Sequence, residues 1–364
     1  MRVLLLVASL FLLAAAPARA QTATVDDTAR FLAGLPPSAD SPLAALAAEP
    51  RWKQHASGFD ATFRQAEART LSRVRNWAAA NLSVKRPTLY YMFSGPDFLY
   101  ANAFFPDATT YVMAGLEPVG HIPDVQNLPK ATLPQALGAL QISMRSILSF
   151  SFFLTKNMQG QLRATPLNGT LPVLYVFLSR AGKTLRDVSL VYLDDDGTPV
   201  AGARPAGKTG AQGAKIVFAG AGGPEQTLYY FSTNIADDGF RSGGIGRLGD
   251  KLGEGVAFVK SASYLMHSPN FSQVRSFLLD KSAAILEDDS GIPVTYFDPA
   301  KWQLKPYGRY LGPITLFAGR GQPRLRELYA KGRPTPIDFG IGYRWRPNES
   351  NLLWAVKRDS VAAQ

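Results

Sequence analysis

Thr88-Leu89-Tyr90-Tyr91-Met92-Phe93-Ser94-Gly95-Pro96-Asp97-Phe98-Leu99-Tyr100 decides the fold class. Thr88 to Ser94 reads as a strand, which Gly95-Pro96-Asp97 stops. An apolar run from Phe98 to Phe105 follows, and a second strand is expected at Thr110 to Ala114. The unit is strand, loop, helix, strand, so helices and strands belong to one architecture.

Outward from this unit, a long helix is expected from about Leu133 to Gln159, opened by the capping pair Thr132 and Gln135. Leu137, Leu140, Met144, Ile147 and Leu148 keep its 3.6-residue period. Ser146 to Thr155, with Phe150, Phe152 and Phe153, is about half the length of a membrane span and reads as the buried end of that helix. Toward the N-terminus, Asp60 is placed to cap a helix reaching Leu82. Phe63, Leu71, Val74, Trp77 and Ala78 fall at helical spacing, while Arg64, Arg69, Arg73 and Arg75 read as a solvated face in preference to an anion-binding stripe.

Leu162 to Thr170 is the first boundary signal. It separates an N-terminal α/β part, 59–162, from a C-terminal α+β part, 170–358, unless both form one continuous domain. Strands are expected at Val173 to Leu178, Val188 to Leu193, Lys215 to Ala219 and Thr227 to Phe231, and their turn-rich loops favour an antiparallel meander. Val256 to Lys260 is a further strand, followed by a helix from Asn270 to Leu286. Ile337, Phe339, Ile341, Tyr343 and Trp345 then alternate with polar residues and glycines, turning at Pro347 to Glu349 into Leu352, Trp354 and Val356 as a C-terminal β-hairpin. The expected fold is α+β or mixed α/β, with a mixed sheet. Long helices exclude a membrane β-barrel. Thr88-Leu89-Tyr90-Tyr91 recurs as Thr227-Leu228-Tyr229-Tyr230, an echo without a fixed period.

The 364 residues contain no cysteine, which excludes disulfides, thiolate nucleophiles and cysteine-bound metals. Thirty-nine Lys and Arg against 28 Asp and Glu leave a net charge of +11. Arg2, the apolar run Val3 to Ala16 and the small-residue site Ala18-Arg19-Ala20 have the layout of a cleaved signal peptide, 1–20. Export to the periplasm or medium is therefore expected, with no membrane span after cleavage. An Ala/Pro-rich, loosely packed lead-in, 21–58, is expected to follow.

Three motifs need weighing. Gly202-Ala203-Arg204-Pro205-Ala206-Gly207-Lys208-Thr209 fits a phosphate-binding loop, but no helix is expected after it. Gly244-Ile245-Gly246-Arg247-Leu248-Gly249 fits a dinucleotide fingerprint, but does not follow a strand directly. Val188 to Thr198, with Asp194-Asp195-Asp196-Gly197-Thr198, resembles the first motif of haloacid-dehalogenase-type phosphatases. That resemblance implies Asp194 as nucleophile and Asp196 as acid/base around Mg²⁺, with Ser232 or Thr233, Lys251 or Lys260, and Asp288 with Asp289 as further elements. A hairpin turn at Asp196-Gly197 is the reading preferred to it. No cofactor is expected otherwise.

His55, His121 and His267 have no metal-ligand spacing. The concentration of carboxylates at expected strand ends is more telling: Asp97 after Gly95-Pro96, Glu117 in Gly115-Leu116-Glu117-Pro118, and Asp288-Asp289 before Ser290-Gly291. Ligand clefts of α/β proteins open outside the carboxyl ends of strands. If these loops converge, Asp97, Glu117, Asp288, Asp289 and Arg309 surround one cleft, with His121, His267 and Tyr307 as further candidates.

Tyr90 to Tyr100, Asp288 to Pro293, Gly308 to Ile314 and Gly342 to Pro347 together resemble a family of uncharacterised exported bacterial proteins, over about residues 85–358. That resemblance implies no activity. The expected function is binding of an anionic envelope component, such as a polysaccharide, or of a small anionic ligand; nucleic acid is not an expected partner. The alternative is a metal-dependent, phosphatase-like hydrolase.

Overall fold

The computed structural model describes residues 22–152 and 166–362. Ten strands form one sheet: β1 (Thr88–Tyr91), β2 (Thr110–Gly115), β3 (Lys183–Leu193), β4 (Pro199–Ala201), β5 (Gln212–Gly220), β6 (Glu225–Ser232), β7 (Gly255–Val259), β8 (Ser282–Glu287), β9 (Trp302–Gly308) and β10 (Asn351–Lys357). Their order is β4-β3-β5-β6-β2-β1-β7-β8-β10-β9. The central strands β6, β2, β1, β7 and β8 are parallel, and the flanking strands are antiparallel. The fold is thus mixed α/β, with an antiparallel meander through β3, β5 and β6 and a C-terminal hairpin of β9 and β10. β1 and β2 precede Leu162–Thr170 and pair directly with β7 and β6, which follow it.

Helices cover both faces of the parallel strands, which is why their middle stretches, 89–91, 111–114, 228–231, 256–259 and 283–286, hold only apolar and aromatic residues. Along β1 and β2 the side chains alternate. Leu89, Tyr91, Tyr111 and Met113 pack under α1 (Val25–Leu32), α3 (Pro50–Ala66), α4 (Ser72–Asn81), α5 (Phe98–Phe104), α6 (Leu133–Phe150) and α7 (Leu171–Arg180). Tyr90, Met92, Val112 and Ala114 pack under α8 (Asp237–Gly243), α9 (Ile245–Leu252) and α10 (Ser272–Lys281). A short α2 (Ala44–Ala47) lies between α1 and α3, and α11 (Pro323–Gly332) lies beside β9.

One helix has an informative irregularity. From α3 into α4 the buried positions are Trp52, His55, Phe59, Phe63 and Ala66, then Leu71, Val74 and Ala78. Steps of three and four give way to a single step of five between Ala66 and Leu71. A π-turn at Glu67–Leu71 absorbs the extra residue and returns the apolar stripe to the core.

Several expectations are corrected. The described part of the expected lead-in, 22–58, is not loosely packed: Ala29, Phe31 and Leu32 of α1 are fully buried, and α3 begins at Pro50, so Asp60 lies inside a helix and caps nothing. Val173 to Leu178 is helix, not strand; α7 is buried from Leu171 to Ser179, and a helix apolar all round shows no period to read. The helix expected to reach Leu286 ends at Lys281, and Ser282 to Glu287 is a central strand whose short apolar run mimics helix. The hairpin partner of β10 is Trp302–Gly308, not Ile337 to Trp345. Ile337, Phe339 and Ile341 do point inward, but Gly340 lies against the Trp345 carbonyl and only one isolated bridge forms, Ile341 to Arg344. The Thr132 hydroxyl donates to the Pro129 carbonyl rather than capping α6. That helix ends at Phe150, with Ser151 left-handed at φ 65°. The signal segment 1–20, residues 153–159 of the expected helix and 162–165 of the boundary lie outside the described residues. Among the described residues, no helix is long and apolar enough to cross a membrane.

Candidate functional site

Taken in chain order, the five parallel strands stand third, second, first, fourth, fifth across the sheet. The connections therefore leave in opposite directions from β1 and β7. In doubly wound sheets the crevice between two such strands, at their carboxyl ends, is where ligands bind.

Asp97 follows β1 and Lys260 follows β7, so the switch point brings them together. Lys260 Nζ lies 2.7 Å from Asp97 Oδ2, with the two side chains 2% and 1% exposed. Asp97 Oδ2 also accepts from Tyr91 Oη at 2.9 Å, and Oδ1 accepts from the Tyr100 amide at 3.1 Å, capping α5. Lys260 donates in addition to the Ser151 carbonyl and sits 4.1 Å from the Tyr100 ring centroid. Burial pushes the Asp97 carboxyl up and the Lys260 ammonium down, and their mutual attraction pulls each back toward the charged form.

Backbone strain gathers at the same place. Ser261, Ser263 and Tyr264 after β7, and Ser151 after α6, all have φ between 52° and 65°. Left-handed non-glycine residues persist only where the surroundings enforce them, often at functional sites.

A cavity of about 40 Å³ lies beside the pair, lined by Asp97, Glu117, Ser94, Lys260 and Ser261 among others. It has room for water but not for an organic ligand. Glu117 reaches it from the end of β2, its carboxylate lying against Gly95 and Gly115 and accepting from Tyr230 Oη at 3.4 Å. Thus Asp97 and Glu117 do share one cavity.

Asp288 and Asp289 belong to the next strand end. Asp288 accepts from the Ser261 amide at 2.9 Å and from the Ser290 amide at 3.0 Å. Burial, then the neighbouring Asp289, pushes the Asp288 carboxyl up to about 6. Asp289 turns away, accepting from Tyr264 Oη at 2.6 Å and Asn351 Nδ2 at 2.9 Å. Glu287, the buried acid that ends β8 just before Asp288, accepts from the Ile292 amide at 2.7 Å, and burial raises its carboxyl well above the usual range. Gly342 closes over Asp288, and Tyr343 Oη donates to the Ser261 carbonyl at 2.9 Å.

Of the other candidates, His267 borders this group, its ring facing the backbone of Gly291 and Asp289 in the turn after β8, and the rest do not join it. His121 is exposed, its amide donating to Asn168. His267 packs edge-on to Tyr264 at 5.2 Å; burial, then Arg320, lowers it to about 4, so it is neutral at pH 7. Tyr307 is half-buried against the core, its ring 4.8 Å from Trp77, and Arg309 is exposed. Asp194 sits where β3 turns into β4, in the antiparallel flank next to the sheet edge, its carboxylate accepting from the amides of Asp196 and Thr198. Asp195 and Asp196 pair with Lys208 and Lys251 on the surface. This is turn chemistry, without the central parallel strand that a phosphatase nucleophile would need. Among the described residues, no group of three or more Asp, Glu, His or Cys is arranged to hold a metal ion.

A larger pocket, about 210 Å³, opens on the outer side of Tyr100 and Ser151. Arg69 and Arg73 line the pocket together with Thr62, Gln65 and Thr70 of the same helical run, and Phe150 and Trp345 line it from other parts of the chain. The two rings meet at 5.1 Å and 63°, and the Arg346 guanidinium lies 5.2 Å from the Trp345 ring. Arg69 lies on the π-turn, and Arg73 one helical turn later, where it donates to the Asp338 carbonyl at 2.7 Å. The five-residue step in the apolar stripe was the available signal that this helix face is special.

Compared with protein-family models, curated proteins and solved structures, the chain matches none of them.

Proposed function

We propose that this is an exported binding protein for a small anionic carbohydrate, a uronic acid or sugar phosphate, held in the pocket above the switch point. The observation that carries the reading is the meeting of Arg69 and Arg73 with Trp345 and Phe150 in one pocket whose floor, Tyr100 and Ser151, touches Lys260. Two guanidinium groups suit a carboxylate or phosphate. Aromatic faces suit the C–H surface of a sugar ring, and Thr62, Gln65 and Thr70 supply hydrogen bonds for hydroxyls. A volume of about 210 Å³ is below that of pockets for drug-sized ligands, which fits a monosaccharide. The net charge, +11 for the whole chain and +9 without Arg2 and Arg19 of the expected signal peptide, favours capture of anions over long range.

Titration of intrinsic fluorescence with glucuronate, glucose 1-phosphate and glucose tests the reading, with Trp345→Phe assigning the signal. Glucuronate or the phosphate should bind, less tightly as salt rises, and glucose should not. Equal binding of glucose, or no response to either anion, overturns the proposal.

A further inference from the structure

The chain's positive charge is not spread evenly. Residues 309–346 contain eight Lys and Arg and two acids, a net +6 of the chain's +11. Within this segment Lys331 pairs with Glu327, and Asp338 with Arg73 from α4. Arg309, Arg320, Arg324 and Arg326 are exposed and make no ion pair among the described residues. The same surface carries apolar tips. Leu316, in a 3₁₀ turn at Thr315–Arg320, is 79% exposed, Leu311 is 41% exposed, and Leu265, from the turn after β7, is 38% exposed. The two turns are joined, since the Tyr264 and Phe317 rings lie 5.1 Å apart and Phe317 meets Tyr343 at 5.2 Å.

We propose that this basic, leucine-tipped surface seats the protein on an anionic lipid membrane surface. Aliphatic tips standing among unpaired arginines match the boundary between phosphate headgroups and acyl chains. A polysaccharide would engage the arginines but leave Leu316 in water, so the exposed leucines favour lipid. Attachment needs both signals, because a few cations or a few apolar side chains alone bind membranes only weakly and reversibly. This inference is independent of the sugar pocket: it concerns where the protein sits, not what it holds.

Co-sedimentation with phosphatidylglycerol–phosphatidylcholine vesicles tests it against vesicles of phosphatidylcholine alone and against soluble dextran sulfate. The protein should bind the anionic vesicles, lose most of that binding near 0.5 M salt, where screening is strong (roughly a 4 Å Debye length), and ignore phosphatidylcholine. Leu316→Ser with Leu311→Ser should weaken vesicle binding about tenfold or more, the sign that apolar insertion contributes, while leaving dextran sulfate binding unchanged. Arg320→Glu with Arg324→Glu should weaken both. All these positions are exposed, and circular dichroism checks that the variants fold. Unchanged vesicle binding by the leucine variant, binding to phosphatidylcholine alone, or no vesicle binding overturns the proposal.

Discussion

The Lys260 ammonium and the Asp97 carboxylate, 163 residues apart in the chain, meet at 2.7 Å with almost no contact with water. Two strands adjacent in the sheet but diverging in connectivity deliver them there. Each ion is costly to bury and tolerable only because of the other. Lys260→Met should therefore cost about 3–5 kcal/mol, as breaking one side of a buried pair does. Adding Asp97→Asn in that background should cost much less than Asp97→Asn alone. Urea denaturation of the four proteins measures the coupling; additive effects would show that the two groups do not depend on each other.

The buried acids at the end of β8 predict an acid-shifted stability profile. Asp288 is raised from 3.8 to about 6, and Glu287 is raised as well. A carboxyl that holds its proton more tightly in the folded chain contributes stability that is full below its unfolded pKa and is lost as pH rises through its folded one. Stability should accordingly fall between about pH 4 and 6, and Asp288→Asn should make that decline shallower. Chemical denaturation across this range checks both statements, and an unchanged slope in the variant would assign the effect elsewhere.

Gly342 is required by its neighbour as well as by its backbone. Its φ is 66°, and a Cβ there would stand 2.1 Å from Asp288 Oδ2. Gly207 has φ 82° with open space around it. Gly207→Ala should cost about 1–2 kcal/mol, the price of a left-handed alanine, and Gly342→Ala clearly more. Equal losses in denaturation would mean that the Gly342–Asp288 contact is not tight.

The π-turn separates packing from binding. Deleting the exposed Ala68 reduces the five-residue step between Ala66 and Leu71 to four, which an ordinary α-helix accommodates. Folding should survive, while Arg69 leaves its position and anion binding is lost. A deletion variant that unfolds, or that binds as well as the parent, would contradict this role.

Much of this arrangement is readable in the sequence. Gly95-Pro96-Asp97 marks the end of β1, and Asp97 and Glu117 at apolar strand ends are found together in the cavity. The echoed Thr-Leu-Tyr-Tyr segments form β1 and β6, both among the parallel strands. Other parts are hidden for physical reasons. β8 and α7 are buried throughout, so neither shows the polar alternation that separates strand from helix. Lys260 gains its meaning from Asp97, a long-range contact that local pattern does not encode. Arg69 and Arg73 look like a solvated face because the aromatic residues that line the pocket with them, Phe150 and Trp345, come from elsewhere in the chain.

Calorimetric titration of glucuronate into the parent protein, the Arg69→Gln/Arg73→Gln double variant and the Arg64→Gln variant tests the central claim most directly. Arg64 lies on the same helix but does not line the pocket. Charge-assisted hydrogen bonds of about 1.5–3 kcal/mol each correspond to a loss of tenfold or more per arginine. The double variant should lose binding by at least about a hundredfold, and Arg64→Gln should bind as the parent does. Parent-like affinity in the double variant, or an equal loss in Arg64→Gln, would show that the anion is not held between Arg69, Arg73 and Trp345.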